Sequence, residues 1–172
     1  ADLVLFSGGK DIRGPQSSGL ILGKKNLINR CLANAYPHHA IGRPMKLDKE
    51  TIMGFVKALE IYLEKDHDQI KEERKRQREY IVEKLGKING LKVYSDTPDQ
   101  PLTQPPIPRV YVDFNPKYDI TKEKMSQKLL EGEPGIAVFL NQSSLVINPH
   151  TLQKGEEKMV VKRFKEIINE LE

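Results

Sequence analysis

Between two apolar runs near the start of the chain, LVLF at 3–6 and LILG at 20–23, Ser7, Gly8, Gly9, Gly14, Pro15, Ser17, Ser18 and Gly19 surround a single lysine, Lys10. An ordinary turn needs one or two residues of this kind. A stretch this rich in them neither continues a strand nor starts a helix, so the chain must double back with its backbone close to something. The flanking runs read as strands. Residue 1 is alanine and the first strand begins almost at once, so the sequence is expected to be part of something longer.

From Lys24 the pattern becomes helical, with Leu27, Ile28, Cys31 and Leu32 on one face and an end before Pro37. Cys31, the only cysteine, reads as a packed thiol and excludes an internal disulfide. PHHAIGRP at 37–44 is a loop. Asp48 is placed to cap a helix whose apolar stripe is Ile52, Phe55, Val56, Leu59 and Tyr62, with a break near KDHD at 65–68. A second helix is expected from about Gln69 to Ile88, able to bridge two domains. LKVYS and RVYVDF then read as strands on either side of a proline-rich loop. A helix over Thr121–Leu130, two strands joined through Asn141–Ser143, and a closing helix with Val160, Val161, Phe164, Ile167, Ile168 and Leu171 inside complete the chain. Residues from about 90 onward therefore form a small α+β unit, a sheet covered by helices on one face. No internal repeat is visible.

With 38% hydrophobic residues in 172, the chain can bury a core, and a net charge of +4 permits an anionic ligand without demanding nucleic acid. No apolar run reaches the ~18–20 residues of a membrane span, so a cytoplasmic protein is expected. The segment 65–79 looks basic but holds six positive and five negative side chains, and no aromatic residues interleave to stack bases. It reads as a solvated helix face. Adjacent histidines at 38 and 39 point apart and have no further ligand at useful spacing, so no metal is expected.

Lys10 carries the chemistry if any residue does. A lysine amine attacks an aldehyde once it has lost its proton, which partial burial or a neighbouring cation such as Arg13 favours. Glycines at 8 and 9 would let the backbone approach a flat ring or a phosphate, and Ser7 offers a hydroxyl. The set suits pyridoxal 5′-phosphate. It is not a phosphate-binding loop of the G-x-x-x-x-G-K-[ST] type. On residue chemistry alone, an exposed lysine in a glycine turn accounts for the pattern as well.

DLVLFSGGKDIRGPQSSGLILGKKNLI, followed by IGRPMKLDKETIMGFVKALEIYL, resembles the selenocysteine synthase (L-seryl-tRNA selenium transferase) family and its lyase-like members related to D-glucosaminate-6-phosphate ammonia-lyase. The resemblance joins the S-G-x-K turn, the G-P-Q after it, the G-L-x-x-G strand and the later R-P-M-K in order. It implies an α/β (α+β) architecture: residues 1–48 as the last strands and lysine segment of a fold-type I large domain, 49–88 as connecting helices, and 89–172 as a small C-terminal domain of antiparallel sheet covered by helices. It implies pyridoxal 5′-phosphate as cofactor and Lys10 as the Schiff-base lysine. Ser7 and Gly14 are then cofactor contacts, with Pro15 and Gln16 shaping the turn. Arg43 and Lys46 match basic positions presented to an anionic substrate group, and Arg13 and His39 are candidate substrate contacts beside them.

The implied activity is a lyase or transferase acting on a small anionic amine through β-elimination. The upstream part would supply the phosphate cup, the ring-stacking residue and the aspartate at the ring nitrogen, so the isolated chain is expected to be inactive. Expected partners are that missing N-terminal region, the substrate and further copies in a homo-oligomer, with neither membrane nor nucleic acid. Selenium transferases carry an acidic residue where this chain has Gly9, which favours the lyase-like members. A tRNA-dependent selenium transferase and a non-catalytic dimerisation or binding module stay open as alternatives.

Overall fold

The first apolar run and the second pair directly: β1 (Leu3–Ser7) and β2 (Gly19–Gly23) form an antiparallel hairpin in which Leu3 faces Gly23 and Ser7 faces Gly19. The computed structural model describes residues 1–96, 107–115 and 121–170 and divides into two units, Ala1–Asp66 and His67–Glu172. The architecture is mixed α/β with two antiparallel sheets.

In the first unit, β2 leads into α1 (Lys25–Asn34), a turn-rich loop closed by a bridge between Ala35 and Gly42, and a 3-10 turn at Arg43–Met45. Helix α2 (Lys49–Leu63) follows. Asp48 caps it as expected: its carboxylate accepts the Thr51 amide at 2.7 Å and the Thr51 hydroxyl at 2.9 Å. These bonds, the amide first, hold the Asp48 carboxyl below its ordinary value. A pKa depressed in the folded state contributes stability that is present above the unfolded value and is lost as pH falls through the folded one. Asp48→Ala is therefore expected to lower the thermal midpoint near pH 7, Asp48→Asn less so, with the Ala deficit shrinking below about pH 4; melts at both pH values check this.

The expected α2 stripe is only partly inside. Phe55 is buried, Leu59 and Tyr62 are half-buried, and Ile52 and Val56 are exposed. The same holds for α1, where Cys31 is a half-buried free thiol rather than a packed one. Leu5 (68% exposed), Leu22 and Met53 also stand in solvent, so this unit shows far more apolar surface than a closed core would.

The second unit is different. Helix α3 (His67–Leu85) begins inside KDHD and ends short of the expected Ile88, because a Gly86 turn follows. The boundary between the units falls inside KDHD, between Asp66 and His67. Helix α3 belongs with the sheet because Ile81 and Leu85 are fully buried in the second unit's core. The sheet runs β3 (Leu91–Asp96), β4 (Arg109–Phe114), β6 (Leu145–Ile147), β5 (Phe139–Leu140), with every pairing antiparallel. Val110 and Val112 of β4 point into the core with Met125 and Leu129 of α4 (Lys122–Leu130) and Val160, Phe164, Ile167 and Ile168 of α5 (Glu156–Asn169). Leu171 and most of the proline-rich loop lie outside the described residues.

Period-two alternation places Tyr111 and Asp113 on the opposite face. There the Tyr111 ring stacks on Tyr94 at 5.3 Å, and the Asp113 carboxylate accepts the Ser144 hydroxyl at 2.6 Å. The β5–β6 turn is an Asx turn: the Asn141 side-chain oxygen accepts the amides of Ser143 and Ser144, and Lys122 donates to the carbonyls of Asn141 and Gln142. Among the described residues, no helix is long and apolar enough to cross a membrane.

Candidate functional site

Residues 8–18 fold back over themselves at the end of the hairpin and rest on α2. The Gly8 amide donates to the Ser18 carbonyl (2.9 Å), the Gly14 amide to the Gly8 carbonyl (2.8 Å), and the Ser18 amide and hydroxyl both to the Pro15 carbonyl (3.1 and 2.6 Å). The Gln16 side-chain amide reaches the Gly9 carbonyl at 3.2 Å. A smaller turn inside this loop carries Lys10, whose carbonyl accepts the Arg13 amide at 2.8 Å.

The glycines at positions 8 and 9 serve the packing of the turn. A Cβ on Gly8 would lie 2.2 Å from Ser18 Oγ and 2.5 Å from Phe55 Cδ2, and one on Gly9 would lie 2.7 Å from Gln16 Cα. The loop closes on itself and on α2 because those side chains are missing. At Gly14 the neighbours are the Gly8 carbonyl and Phe55, and Gly54 of α2 makes room for Pro15. Phe55 is thus the platform under the turn.

The side chains this platform presents are free. Lys10 and Arg13 are exposed, Ser7 is half-buried at the end of β1, and no hydrogen bond or ion pair engages their side chains among the described residues. Burial of the Lys10 amine, one of the two conditions for its chemistry, is not supplied within the described residues. Arg13 has φ of 60°, a left-handed backbone that costs a side-chain-bearing residue about 1 kcal/mol.

Arg43 and Lys46 converge on one ring. The Arg43 guanidinium lies 4.6 Å from the centre of Tyr36 and the Lys46 ammonium 5.1 Å, both at cation–π distance. Arg43 also donates to the Pro37 carbonyl at 3.3 Å. Neither cation has a carboxylate partner among the described residues, so the pair offers an uncompensated positive patch on an exposed aromatic. His39 is exposed in the same loop and takes no part in the stacking. No hydrogen bond or ion pair joins Lys10 or Arg13 to Arg43 or Lys46. Among the described residues, no group of three or more His, Cys, Asp or Glu is placed to hold a metal.

Two roles cannot be read from residue type or spacing. Tyr36 gives no periodic signal, and Phe55 looks like any apolar helix position; only the three-dimensional contact reveals either role.

The family model for L-seryl-tRNA selenium transferase matches residues 1–95, which contain the hairpin, the Lys10 turn, the Tyr36 loop and α2. The chain belongs to the L-seryl-tRNA selenium transferase family. Members of this family are fold-type I pyridoxal-phosphate enzymes. The chain is 32% identical over 173 residues to D-glucosaminate-6-phosphate ammonia lyase of Salmonella typhimurium, a match covering 97% of this chain and 43% of that protein. It is 29% identical to a 5′-C-glycyluridine monooxygenase-decarboxylase of a Streptomyces species, over 98% of this chain and 41% of that one. A solved structure of D-glucosaminate-6-phosphate ammonia-lyase superposes with a TM-score of 0.63 at 30% identity, covering 99% of this chain and 44% of that chain. The chain spans about two fifths of the length of the curated relatives it matches.

Within the family frame, the donor set fits the family's cofactor. A free primary amine suits an aldehyde, and the unengaged Ser7 hydroxyl suits a phosphate oxygen.

Proposed function

We propose that this chain carries the reactive lysine and an anion-binding patch of a pyridoxal-phosphate lyase acting on a small anionic amine. The observation that carries the proposal is the Lys10 turn: a closed, multiply bonded loop on a helix platform that leaves one lysine amine exposed and unpaired. When bound, pyridoxal 5′-phosphate supplies an aldehyde for amines and a ring that accepts the electron pair left at the substrate's Cα.

The chain's own residues do the rest. Lys10 Nζ takes the proton from the substrate's Cα and returns one to the group departing from Cβ, so that elimination leaves no net change on the lysine, and the released enamine, as its imine tautomer, takes up water to give a ketone and ammonia. Ser7 would donate a hydrogen bond to a phosphate oxygen of the cofactor, and Gly14 holds the turn against the Gly8 carbonyl. Arg43 and Lys46, already spread on Tyr36, grip a carboxylate or phosphate of the substrate, the guanidinium through two parallel bonds. His39 stands at the rim of the same loop as a further contact. The remainder of a family chain supplies the rest of the cofactor site and buries Lys10, and copies associate to complete the enzyme.

Lyase action is favoured over tRNA-dependent selenium transfer because Gly9 stands where the transferases carry an acidic residue. The test uses the native protein with added pyridoxal 5′-phosphate. Ammonia release is measured from D-glucosaminate 6-phosphate and from L-serine, beside product formation from seryl-tRNA. Release from the sugar acid, falling by about 10³-fold or more in Lys10→Ala, is the expected result. Turnover of seryl-tRNA alone, or a Lys10→Ala variant of undiminished activity, would overturn the reading.

A further inference from the structure

Arg13 is the only non-glycine residue with a left-handed backbone among the described residues. Elsewhere the chain gives such positions to glycine, at Gly90 (φ 88°) and Gly155 (φ 96°). The conformation at Arg13 is fixed from both sides: its own amide is tied to the Lys10 carbonyl and the next amide, of Gly14, to the Gly8 carbonyl. A glycine would satisfy every one of those backbone bonds without steric strain.

The side chain adds nothing visible to the packing of the first unit. It is exposed, and its guanidinium has neither hydrogen bond nor ion pair among the described residues. Asp11, the carboxylate in the same turn, is itself engaged. What arginine contributes here is a permanently charged, planar fork of donors on the four-residue turn that begins with Lys10, the two Cα atoms being within the ~7 Å of a closed turn. The left-handed backbone directs this fork along a path that a right-handed residue would not give.

We infer that Arg13 binds the anionic group, phosphate or carboxylate, of the amine that reacts at Lys10. The inference rests on the reading of Lys10 as the reactive residue. It assigns an anion contact on the lysine's own turn, separate from the Arg43 and Lys46 patch on Tyr36. Because the contact is a forked, charge-assisted one, lysine replaces it only in part.

The test uses the cofactor-loaded native protein, titrated calorimetrically with inorganic phosphate and with acetate, in wild type, Arg13→Gly, Arg13→Ala and Arg13→Lys. Affinity for at least one anion is expected to fall about tenfold or more in the Gly and Ala variants and less in Lys. The thermal midpoint of Arg13→Gly is expected to match or exceed wild type and to stand above Arg13→Ala, which keeps the strained backbone without the fork. Loss confined to phosphate assigns the contact to a substrate phosphate; loss confined to acetate assigns it to a carboxylate. Unchanged binding of both anions in Arg13→Gly, or no binding of either by wild type, overturns the inference. The Lys10 reading is checked separately by lysine-dependent visible absorbance before titration. Its absence overturns both readings, while its presence with unchanged anion binding overturns only this one.

Discussion

Replacing Gly8 by valine is expected to destabilise the Lys10 turn by roughly 1–3 kcal/mol and to reduce turnover of the native protein by about 10²-fold or more. The reason is the lack of any slack around the added Cβ. Ser18 Oγ, 2.2 Å away, is held by its bond to the Pro15 carbonyl, and Ser18's own carbonyl accepts the Gly8 amide, so Ser18 cannot turn aside without breaking the loop's closure. Phe55 Cδ2, 2.5 Å away, belongs to the one buried apolar side chain of α2. The turn must therefore lift from the helix, carrying Lys10 with it.

Combining Gly8→Val with Phe55→Leu and Ser18→Ala is expected to recover part of the loss, since neighbours sharing a contact do not behave additively. Gly155→Ala provides the contrast, with a left-handed φ but nothing within 4 Å, so that only backbone strain is felt. Steady-state kinetics and thermal melts of the three variants decide the matter. A Gly8→Val protein with wild-type turnover would mean that the turn does not position the lysine.

The second large effect is expected in the other unit. Phe164 is fully buried among Ile81, Leu85, Val110, Val112 and Leu129, the meeting point of α3, α4, α5 and the sheet. Phe164→Ala removes a large apolar side chain from a core with no exposed edge at that position. The expected loss is about 3–5 kcal/mol, a sizeable part of the ~5–15 kcal/mol that holds a typical domain together. Denaturant titration reads it directly. Phe164→Leu should lose much less, because most of the volume remains. A loss below about 1 kcal/mol for the alanine variant would place Phe164 outside the core.

Most of the second unit was legible because burial there follows sequence periodicity. RVYVDF alternates and its valines are inside; the α5 stripe recurs at helical spacing and is inside; Asn141–Ser143 is a turn because an Asn side chain can bond the amides ahead of it. The first unit was legible in its elements but not in its burial. Ile52 and Val56 sit at helical spacing with Phe55, yet they face solvent, since periodicity states which residues share a face and not what that face meets.

The site divides in the same way. Lys10 and Arg43 stand out by residue type, and the Asp48 cap by position. Tyr36 beneath two cations depends on how one loop folds back on itself, and Phe55 beneath the glycines on a contact between segments far apart in sequence. The packing role of Gly8 and Gly9 is hidden in the sequence for the same reason, since the atoms that leave no room for a Cβ belong to Ser18, Phe55 and Gln16.

The most direct test of the account is where a covalent mark forms. The native protein is mixed with pyridoxal 5′-phosphate, reduced with borohydride, digested and mapped by mass spectrometry. The account predicts a modified lysine in the peptide containing Lys10, with no corresponding stoichiometric mark in Lys10→Ala. Stoichiometric marking of another lysine, such as Lys24, Lys25 or Lys46, with Lys10 unmodified, would contradict it.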